Sequence, residues 1–362
     1  MEGLRCFACG GPYHPSTGHL WKKFEGVAYC GPCYRSFLSW LKPHMHRRWG
    51  GERFYDAAAR RQVSPMRIAI GPARDYPSWH WCGGDLVPEL SLSHDVKVFR
   101  QYSELSNESF DAVVIIKEPP SRLCAPVNRK IVYLPVDFFE SESQIQDRLP
   151  FLRSCNVVAT HCHRLDRDLL PHCRRLVHVE HYGKYVLPAM SDYKTDGFVL
   201  WTGQGTWIGH ALDWHDKKPR GFDLVILGND RGWIWDPSPR PGVTSRRWSE
   251  EEHLRLLGEA RAGLDIKGDS FHQSTKPPTK IQQFVASGVP AAVNKDSYSW
   301  EWFHERGFDL ADPDDESRWF SKRYWEETRE FGLHLRDEIS KTSVVSSDLG
   351  LLRDIQDDGR RA

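Results

Sequence analysis

Short apolar runs alternate with polar, helix-compatible stretches along the chain from residue 66 onward. The first run, MRIAIGP, ends at a glycine and is typical of a strand buried on both faces of a parallel sheet. Similar runs follow at DVKVF, DAVVIIK, KIVYLPVD, NVVATH and LVHVEH, with helical patterns such as SESQIQDRLPFLRSC between them. Strands that alternate with helices predict a doubly wound, Rossmann-like α/β domain over residues 66–190.

A second series of apolar runs begins after the proline and glycine residues near 187–197. Its predicted strands are GFVLWTG, FDLVILGND, ARAGLDIKG and VPAAVN. Between them, SEEEHLRLLGEA reads as an amphipathic helix capped by Ser249, and TKIQQFVASG as a helix that ends at Gly288. These elements predict a second Rossmann-like domain over residues 191–312. The charged, helical segment 313–362 is expected to pack back across both domains.

The first 65 residues have a different pattern, with two Cys-x2-Cys pairs on either side of a predicted hairpin at HLWKKFEGVAY. The pairs supply four thiolates, which suit one tetrahedral Zn²⁺ ion, and such a closed site leaves no position open for substrate. We therefore predict a structural zinc module over residues 1–42, similar to a treble-clef or zinc-ribbon finger, and a basic linker over residues 43–65. Two redox CxxC pairs are the alternative. The predicted ligands are Cys6, Cys9, Cys30 and Cys33.

Charge is unevenly distributed, although the whole chain has a formal net charge of zero. Residues 1–65 hold ten Lys or Arg and four Asp or Glu, a net charge of +6 that leaves −6 for the remainder. Tryptophans such as Trp21, Trp40 and Trp49 lie among these cations and suit unstacked bases beside a phosphate backbone. DNA is therefore one candidate partner of this segment. Docking on a protein, or bracing of the neighbouring domain, is the alternative.

The sequence shows no signal for membrane insertion or secretion. No apolar run is long enough to span a membrane, and the N-terminus lacks the apolar core of a signal peptide, so a cytoplasmic protein is expected, in the host cytoplasm if it is viral.

The five cysteines beyond the zinc module are expected to be free thiols. The histidines between residues 161 and 181 have no accompanying carboxylate motif and are interpreted as pocket or surface residues rather than as a second metal site.

The order of elements in residues 198–294 resembles the nucleotide-sugar domain of GT-B glycosyltransferases. The matching segments are LWTG, LVILG, EEHLRLLGEA and KIQQFVASGVPAAV. The resemblance implies a GT-B-like pair of Rossmann domains that moves a sugar from a nucleotide-sugar donor, in the first instance a UDP-sugar, to an acceptor hydroxyl without a catalytic metal. Gln283 stands where many members carry a Glu that holds the ribose, so the donor nucleotide stays open.

The resemblance also implies which residues bind the donor. A leaving diphosphate needs backbone amides, a helix N-terminus and cationic side chains. The matching residues are Gly203, Gln204, Gly205 and Thr206 in the first Gly-rich turn, and Lys276, Thr279 and Lys280 at the start of the later helix. Asp269 and His272, in the loop after the DIKG strand, are candidates for contact with the donor sugar, with ordinary loop polarity as the alternative.

The loop after the first strand, GPARDYPSWHWCGGDL, is expected to face the acceptor. An inverting enzyme needs a base there, whereas a retaining one does not. The candidate bases are Asp75, His80, Asp85 and, at another strand end, Asp137. The candidate acceptor contacts are Trp79, Trp81, Glu118 and His181.

The basic zinc module makes a nucleic-acid acceptor the favoured hypothesis. A phage-type enzyme that glycosylates a hydroxymethylated or otherwise modified DNA base would reach its hydroxyl by base flipping or from a groove, with tryptophans available for stacking. A saccharide or protein acceptor is the second hypothesis. A nonenzymatic zinc-finger protein that binds nucleic acid is the third.

Overall fold

The computed structural model describes residues 22–24, 27–29, 65–106, 108–120, 130–229 and 240–358. The chain forms two compact units, Met1–Ser64 and Pro65–Ala362. In the first unit, β1 (Lys22–Phe24) pairs antiparallel with β2 (Val27–Tyr29), within the segment predicted as a hairpin. The four predicted zinc ligands and the basic linker lie outside the described residues.

The first sheet of the second unit has six parallel strands in the order β4-β3-β5-β6-β7-β8. Central β5 is buried along its whole length, because helices and loops cover both faces of the sheet. All six apolar runs predicted before residue 190 are strands of this sheet. Their bounds are β3 Arg67–Gly71, β4 Asp95–Val98, β5 Ala112–Ile116, β6 Lys130–Leu134, β7 Val157–Thr160 and β8 Leu176–His178.

Short helices connect these strands. α1 runs directly into a π-helical turn at His80–Gly84, and 3₁₀ turns lie at Tyr102–Leu105 and Leu170–His172. Ser141 Oγ accepts a hydrogen bond from the Gln144 N–H and caps α3, the helix at Glu142–Asp147. The bounds are α1 Pro77–Trp79, α2 Val87–Leu90, α3 Glu142–Asp147, α4 Leu149–Ser154 and α5 His163–Leu169.

The second sheet has five parallel strands in the order β11-β10-β9-β12-β13. Four of them are the predicted apolar runs. The fifth, β11, was not predicted from the sequence, because VTSRR is polar and lies at the sheet edge, where burial is incomplete. The bounds are β9 Val199–Gln204, β10 Leu224–Asn229, β11 Val243–Arg247, β12 Ala262–Asp265 and β13 Ala291–Val293. The prediction of two parallel-sheet α/β domains is confirmed.

The predicted caps of the second domain are present. Ser249 Oγ accepts a hydrogen bond from the Glu252 N–H at 3.1 Å, and Gly288 adopts a φ of +72° where the helix before it ends. A 3₁₀ turn at Gly205–Trp207 precedes the first helix of this domain. The helices are α6 Gly209–Asp216, α7 Glu250–Glu259, α8 Phe271–Ser274, α9 Thr279–Ala286 and α10 Tyr298–His304.

Three C-terminal helices, α11 (Glu316–Trp319), α12 (Lys322–Glu338) and α13 (Lys341–Asp358), follow the second sheet and return toward the first. α12 packs on α9, and α13 packs on α2 and contributes Val344 and Val345 to the apolar core of the first domain. The C-terminal segment therefore contacts both domains. Among the described residues, no helix is both long and apolar enough to cross a lipid bilayer.

Candidate functional site

A cleft of about 420 Å³ opens at the carboxyl ends of both sheets of the second unit. In an open α/β sheet, ligands bind at the carboxyl ends of the strands, beside the point where the strand order reverses. That point lies between β3 and β5 in the first sheet and between β9 and β12 in the second. The loop after β3, the residues after β6 and β8, the end of β9 and the start of α9 line the cleft. Topology alone therefore marks this cleft as a ligand site.

One wall of the cleft, on the side of the second sheet, holds a buried carboxylate between lysines. Asp265 ends β12 with its side chain 2% exposed, and the ammonium groups of Lys267 and Lys280 lie 2.9 and 3.4 Å from its two oxygens. Burial by itself would raise the pKa of Asp265, but the two ammonium groups outweigh it and the pKa is lowered. Asp265 is therefore an ionised group that holds two lysines at the end of its strand.

Lys276 adds a third cation to this wall, and its Nζ lies 4.9 Å from the centroid of the Trp207 ring. Burial, reinforced by the ammonium groups of Lys267 and Lys280, lowers the pKa of Lys276 to about 7. Burial lowers the pKa of Lys280 to about 8, against the opposing effect of Asp265. One carboxylate does not balance three ammonium groups, so this wall attracts an anion.

Two backbone features add to the affinity of this wall for an anion. Gly203, in β9, leaves room for Lys280, since a Cβ atom there would lie 2.8 Å from the lysine Nζ and 2.7 Å from the Trp201 ring. Helix α9 begins at Thr279, which lines the cleft, so the N–H groups of its first turn and the positive end of its dipole lie there too. Lysines, backbone N–H groups and a helix N-terminus are the groups that phosphates prefer.

The opposite wall carries a carboxylate, Asp137, which follows β6. Lys117 follows β5 and donates a hydrogen bond to Asp137 at 2.7 Å. Burial alone would raise the pKa of Asp137, but Lys117, and more weakly Lys276 across the cleft, keep it lowered. Lys117 and Val136 have φ values of 62° and 53°, a conformation that costs non-glycine residues energy. Two adjacent strand ends therefore have strained backbone beside the cleft, as is common at functional sites.

Aromatic and imidazole groups complete the wall on the side of the first sheet. His80 is exposed and lines the cleft. The indole N–H of Trp81 donates to the Tyr182 carbonyl oxygen at 3.1 Å, and the ring meets those of His181 and Tyr185 edge-on. This surface suits a flat or apolar part of a ligand.

Ten of the residues predicted for catalysis or binding line this one cleft. They come from both sequence arguments, the strand-end loops of the first domain and the match to the nucleotide-sugar domain. They are His80, Trp81, Asp137, His181, Gly203, Gln204, Lys276, Thr279, Lys280 and Gln283.

The other predicted residues lie elsewhere or engage other partners. Asp85 accepts hydrogen bonds from Lys184 and from the Tyr182 hydroxyl, so the carboxylate predicted as a base is engaged by two residues of the first domain. Trp79, 7% exposed, belongs to the apolar core and not to the cleft surface, so its large ring serves packing rather than stacking on a ligand. Seven predicted residues do not line the cleft: Asp75, Trp79, Asp85, Glu118, Gly205, Asp269 and His272. The side chain of Thr206 lies outside the described residues.

Two of the remaining candidates have identifiable contacts. Glu118 pairs with Arg74, with 3.1 Å between the carboxylate and the guanidinium. His272 stacks on Trp207 with ring centroids 5.6 Å apart, and burial lowers its pKa. His272 therefore supports the tryptophan against which Lys276 lies, and does not itself border the cleft.

Sequence reasoning missed several cleft residues. Lys267 lies two positions after Asp265, in the DIKGD segment already singled out, and its charge was the available signal. The others come from loops and helix faces with no distinctive spacing: Lys184, Tyr185, Trp207, Trp248 and His253.

No protein-family model and no curated protein sequence matches the chain. Solved structures do match it. AviGT4, a glycosyltransferase involved in avilamycin A biosynthesis, is similar with a TM-score of 0.50 and 14% identity, over 80% of this chain and 98% of that one. WaaG, a glycosyltransferase involved in lipopolysaccharide biosynthesis, is similar with a TM-score of 0.51 and 10% identity, over 79% of this chain and 99% of that one.

A DNA-modifying β-glucosyltransferase matches with a TM-score of 0.39 and 12% identity, over 82% of this chain and 99% of that one. This likeness is too low to bear on the acceptor. Identities of this size establish the fold and nothing finer. The two-sheet unit of this chain has the fold of the GT-B glycosyltransferases.

Proposed function

We propose that the protein is a glycosyltransferase that takes a sugar from a nucleotide diphosphate donor, in the first instance a UDP-sugar, and passes it to an acceptor hydroxyl. The observation that carries the proposal is the pair of lysines bound to Asp265, with Lys276 in the same wall, at the strand-order reversal of the second sheet. An excess of positive charge beside a helix N-terminus suits a diphosphate.

In the proposed reaction, the acceptor oxygen forms a bond to the anomeric carbon while the bond from that carbon to the diphosphate oxygen breaks. The electron pair of the breaking bond leaves with the diphosphate. Lys276, Lys280 and the N–H groups at the start of α9 stabilise the negative charge that develops there, which lowers the barrier without a metal. Gln283, 4% exposed and beside these groups, is proposed to hydrogen-bond the ribose of the donor.

The acceptor proton needs a base if the reaction inverts the anomeric centre. Asp137 and His80 line the wall opposite the lysines and are the two proposed candidates. Asp137 is ionised and held by Lys117, whereas His80 is exposed. Substitution of each separately, Asp137→Asn and His80→Ala, distinguishes them, since loss of the true base lowers kcat by about 10²- to 10⁴-fold.

For the acceptor, we propose a hydroxyl on a modified base in DNA. Support comes from the net charge of +6 in residues 1–65, with tryptophans among the cations. At the cleft, the part-exposed Trp81 offers a ring on which a flipped base can stack. Saccharide and protein acceptors are the competing class, because the described residues that line the cleft would suit them as well.

The test uses the full chain with labelled nucleotide sugars and three acceptors: duplex DNA with hydroxymethylated bases, plain duplex DNA and a glycan mixture. The expected result is transfer to hydroxymethylated DNA that Lys280→Met abolishes. Lys295→Met, at a side chain 67% exposed and outside the cleft, is the matched control and should retain activity. Transfer to glycans alone would overturn the DNA acceptor, and failure to bind any nucleotide sugar would overturn the transferase itself.

A further inference from the structure

Three metal-ligating side chains meet beneath the wall of the cleft formed by the first sheet. Cys82 lies in the π-helical turn after α1, His161 directly follows β7, and His181 lies three residues after β8. All three are buried, at 6%, 5% and 7% exposure, and their ligand atoms lie within 4.8 Å of one another. They are brought together from three separate segments at the carboxyl edge of the sheet.

One nitrogen of each histidine ring faces the cysteine sulfur. His161 Nδ1 lies 2.8 Å from the Val179 carbonyl oxygen, so Nδ1 carries the proton and Nε2 is left with a free lone pair. That Nε2 faces Cys82 Sγ at 3.7 Å, and His181 Nδ1 faces the same sulfur at 3.8 Å. A backbone carbonyl that fixes the tautomer of a histidine is the usual support of a histidine metal ligand.

The spacing of these atoms agrees with tetrahedral coordination. With Zn–S near 2.3 Å and Zn–N near 2.05 Å, tetrahedral angles place sulfur and nitrogen about 3.6 Å apart. The two observed separations exceed this by 0.1 and 0.2 Å. The His161 and His181 rings lie with their centroids 3.7 Å apart and their planes at 43°, so the two rings must move apart for both nitrogens to face one ion.

We propose that Cys82 Sγ, His161 Nε2 and His181 Nδ1 bind a Zn²⁺ ion. One thiolate and two imidazoles are ligands that zinc prefers over magnesium or calcium. Asp348 of α13 lines the small cavity beside these three residues.

A neighbouring cluster of His163, Asp166 and His178 has a different character. The carboxylates of Asp166 and Glu180 lie 3.7 and 3.4 Å from the two ring nitrogens of His178. Burial alone would lower the pKa of His178, but these carboxylates raise it to about 9. The contacts of this cluster are those of an ion-pair network, and the zinc proposal is confined to Cys82, His161 and His181.

The proposed ion would position a cleft residue rather than take part in transfer. His181 lines both the small cavity and the cleft, and its Nε2 is buried with no hydrogen-bond partner among the described residues. Zinc on Nδ1 fixes the proton on Nε2, so His181 would present a permanent hydrogen-bond donor at the cleft wall. Transfer without a catalytic metal is unaffected by this assignment.

The test is the zinc content of the purified full chain, measured by elemental analysis. In the Cys6→Ser/Cys9→Ser variant, which removes the predicted N-terminal site, one zinc per chain should remain. Adding Cys82→Ala or His161→Ala should remove it. Cys155→Ala, at another buried cysteine 1% exposed, should not change the zinc content.

X-ray absorption at the zinc edge covers the case in which the Cys82 variants fail to fold. In the Cys6→Ser/Cys9→Ser variant, one sulfur and at least two nitrogen neighbours per zinc are expected. Absence of zinc from that variant, zinc retained after Cys82→Ala, or sulfur-only coordination would each overturn the proposal. These readouts do not depend on transferase activity, so this proposal and the proposed function can fail separately.

Discussion

The positive wall of the cleft should bind the proposed nucleotide-sugar donor more weakly as the pH rises from 6.5 to 9. In the free protein, burial and neighbouring ammonium groups lower the pKa of Lys276 to about 7, and burial lowers that of Lys280 to about 8. Both lysines therefore lose their protons within this range. A bound diphosphate places negative charge beside them and returns each pKa toward its ordinary value near 10.4. Binding then takes up protons, so affinity is highest below pH 7 and falls above it.

The size of the effect follows from the protonated fraction of each lysine in the free protein. Between pH 6.5 and 9, that fraction falls about 10-fold for a group of pKa 8 and about 80-fold for a group of pKa 7. The side chain of Lys280 is 29% exposed, so water weakens its coupling to the ligand. We therefore expect the association constant to fall by about 10- to 100-fold, or about 1.4 to 2.7 kcal/mol.

Isothermal titration calorimetry of the full chain measures this directly. UDP-glucose is a suitable first ligand, because both of its phosphates stay ionised throughout the range and the ligand adds no titration of its phosphates. Repeating the titration at pH 8 in buffers of different ionisation enthalpy gives the number of protons taken up, which should be about 1.4, with about 0.9 from Lys276 and about 0.5 from Lys280. GDP- and ADP-sugars serve in the same way if they bind more tightly.

Arginine variants provide the matched control, because a guanidinium keeps its proton over this range. Lys276→Arg should flatten most of the pH dependence, and Lys280→Arg should flatten the part above pH 8. An affinity that stays constant or rises with pH, with no proton uptake, would refute the assignment of these lysines to the diphosphate.

Three further predictions test the packing around the site. Gly203→Ala should lower kcat/KM by about 10-fold or more, because the added Cβ would meet Lys280 Nζ and the Trp201 ring. Gly209→Ala is the control and should leave kcat/KM unchanged, because no heavy atom lies within 4 Å of the added Cβ. Glu180→Gln should lower the free energy of unfolding by about 1 to 3 kcal/mol in urea denaturation, since the carboxylate, whose side chain is 18% exposed, binds Arg306 and His178. Gly332→Ala should destabilise by about 1 to 3 kcal/mol in the same assay, because the overlap with the Val285 carbonyl oxygen outweighs the better helix propensity of alanine.

The strands could be predicted because each central one is a continuous apolar run. DAVVIIK and GFVLWTG needed no tertiary information, since a strand covered on both faces must be apolar along its length. β11 was missed for the converse reason: at the sheet edge, VTSRR keeps polar residues toward water. The caps at Ser249 and Gly288 were predictable because their chemistry is local.

The site was predictable only where it follows strand ends or matches the nucleotide-sugar domain. Asp137 was found because it follows a strand end, whereas Gly203 and Lys280 were found through the resemblance to the nucleotide-sugar domain. The role of Asp265 could not be found, because its partner Lys280 is fifteen residues away on another element. The cluster around Cys82 joins residues that are even farther apart in the sequence. His161 and His181 are 79 and 99 residues from Cys82, and no spacing rule relates them.

The cleft divides its charges between its two walls, and this division suits a transfer reaction. Lysines gather on the side of the second sheet, whereas Asp137 stands on the side of the first, close enough to Lys276 for each to affect the pKa of the other. A bound diphosphate keeps Lys276 protonated but brings its own negative charges into the cleft that Asp137 lines. A nearby negative charge raises the pKa of a carboxylate and makes it a stronger base. Donor binding would therefore prepare Asp137 to accept the acceptor proton, so donor before acceptor is the order of binding that the charges favour.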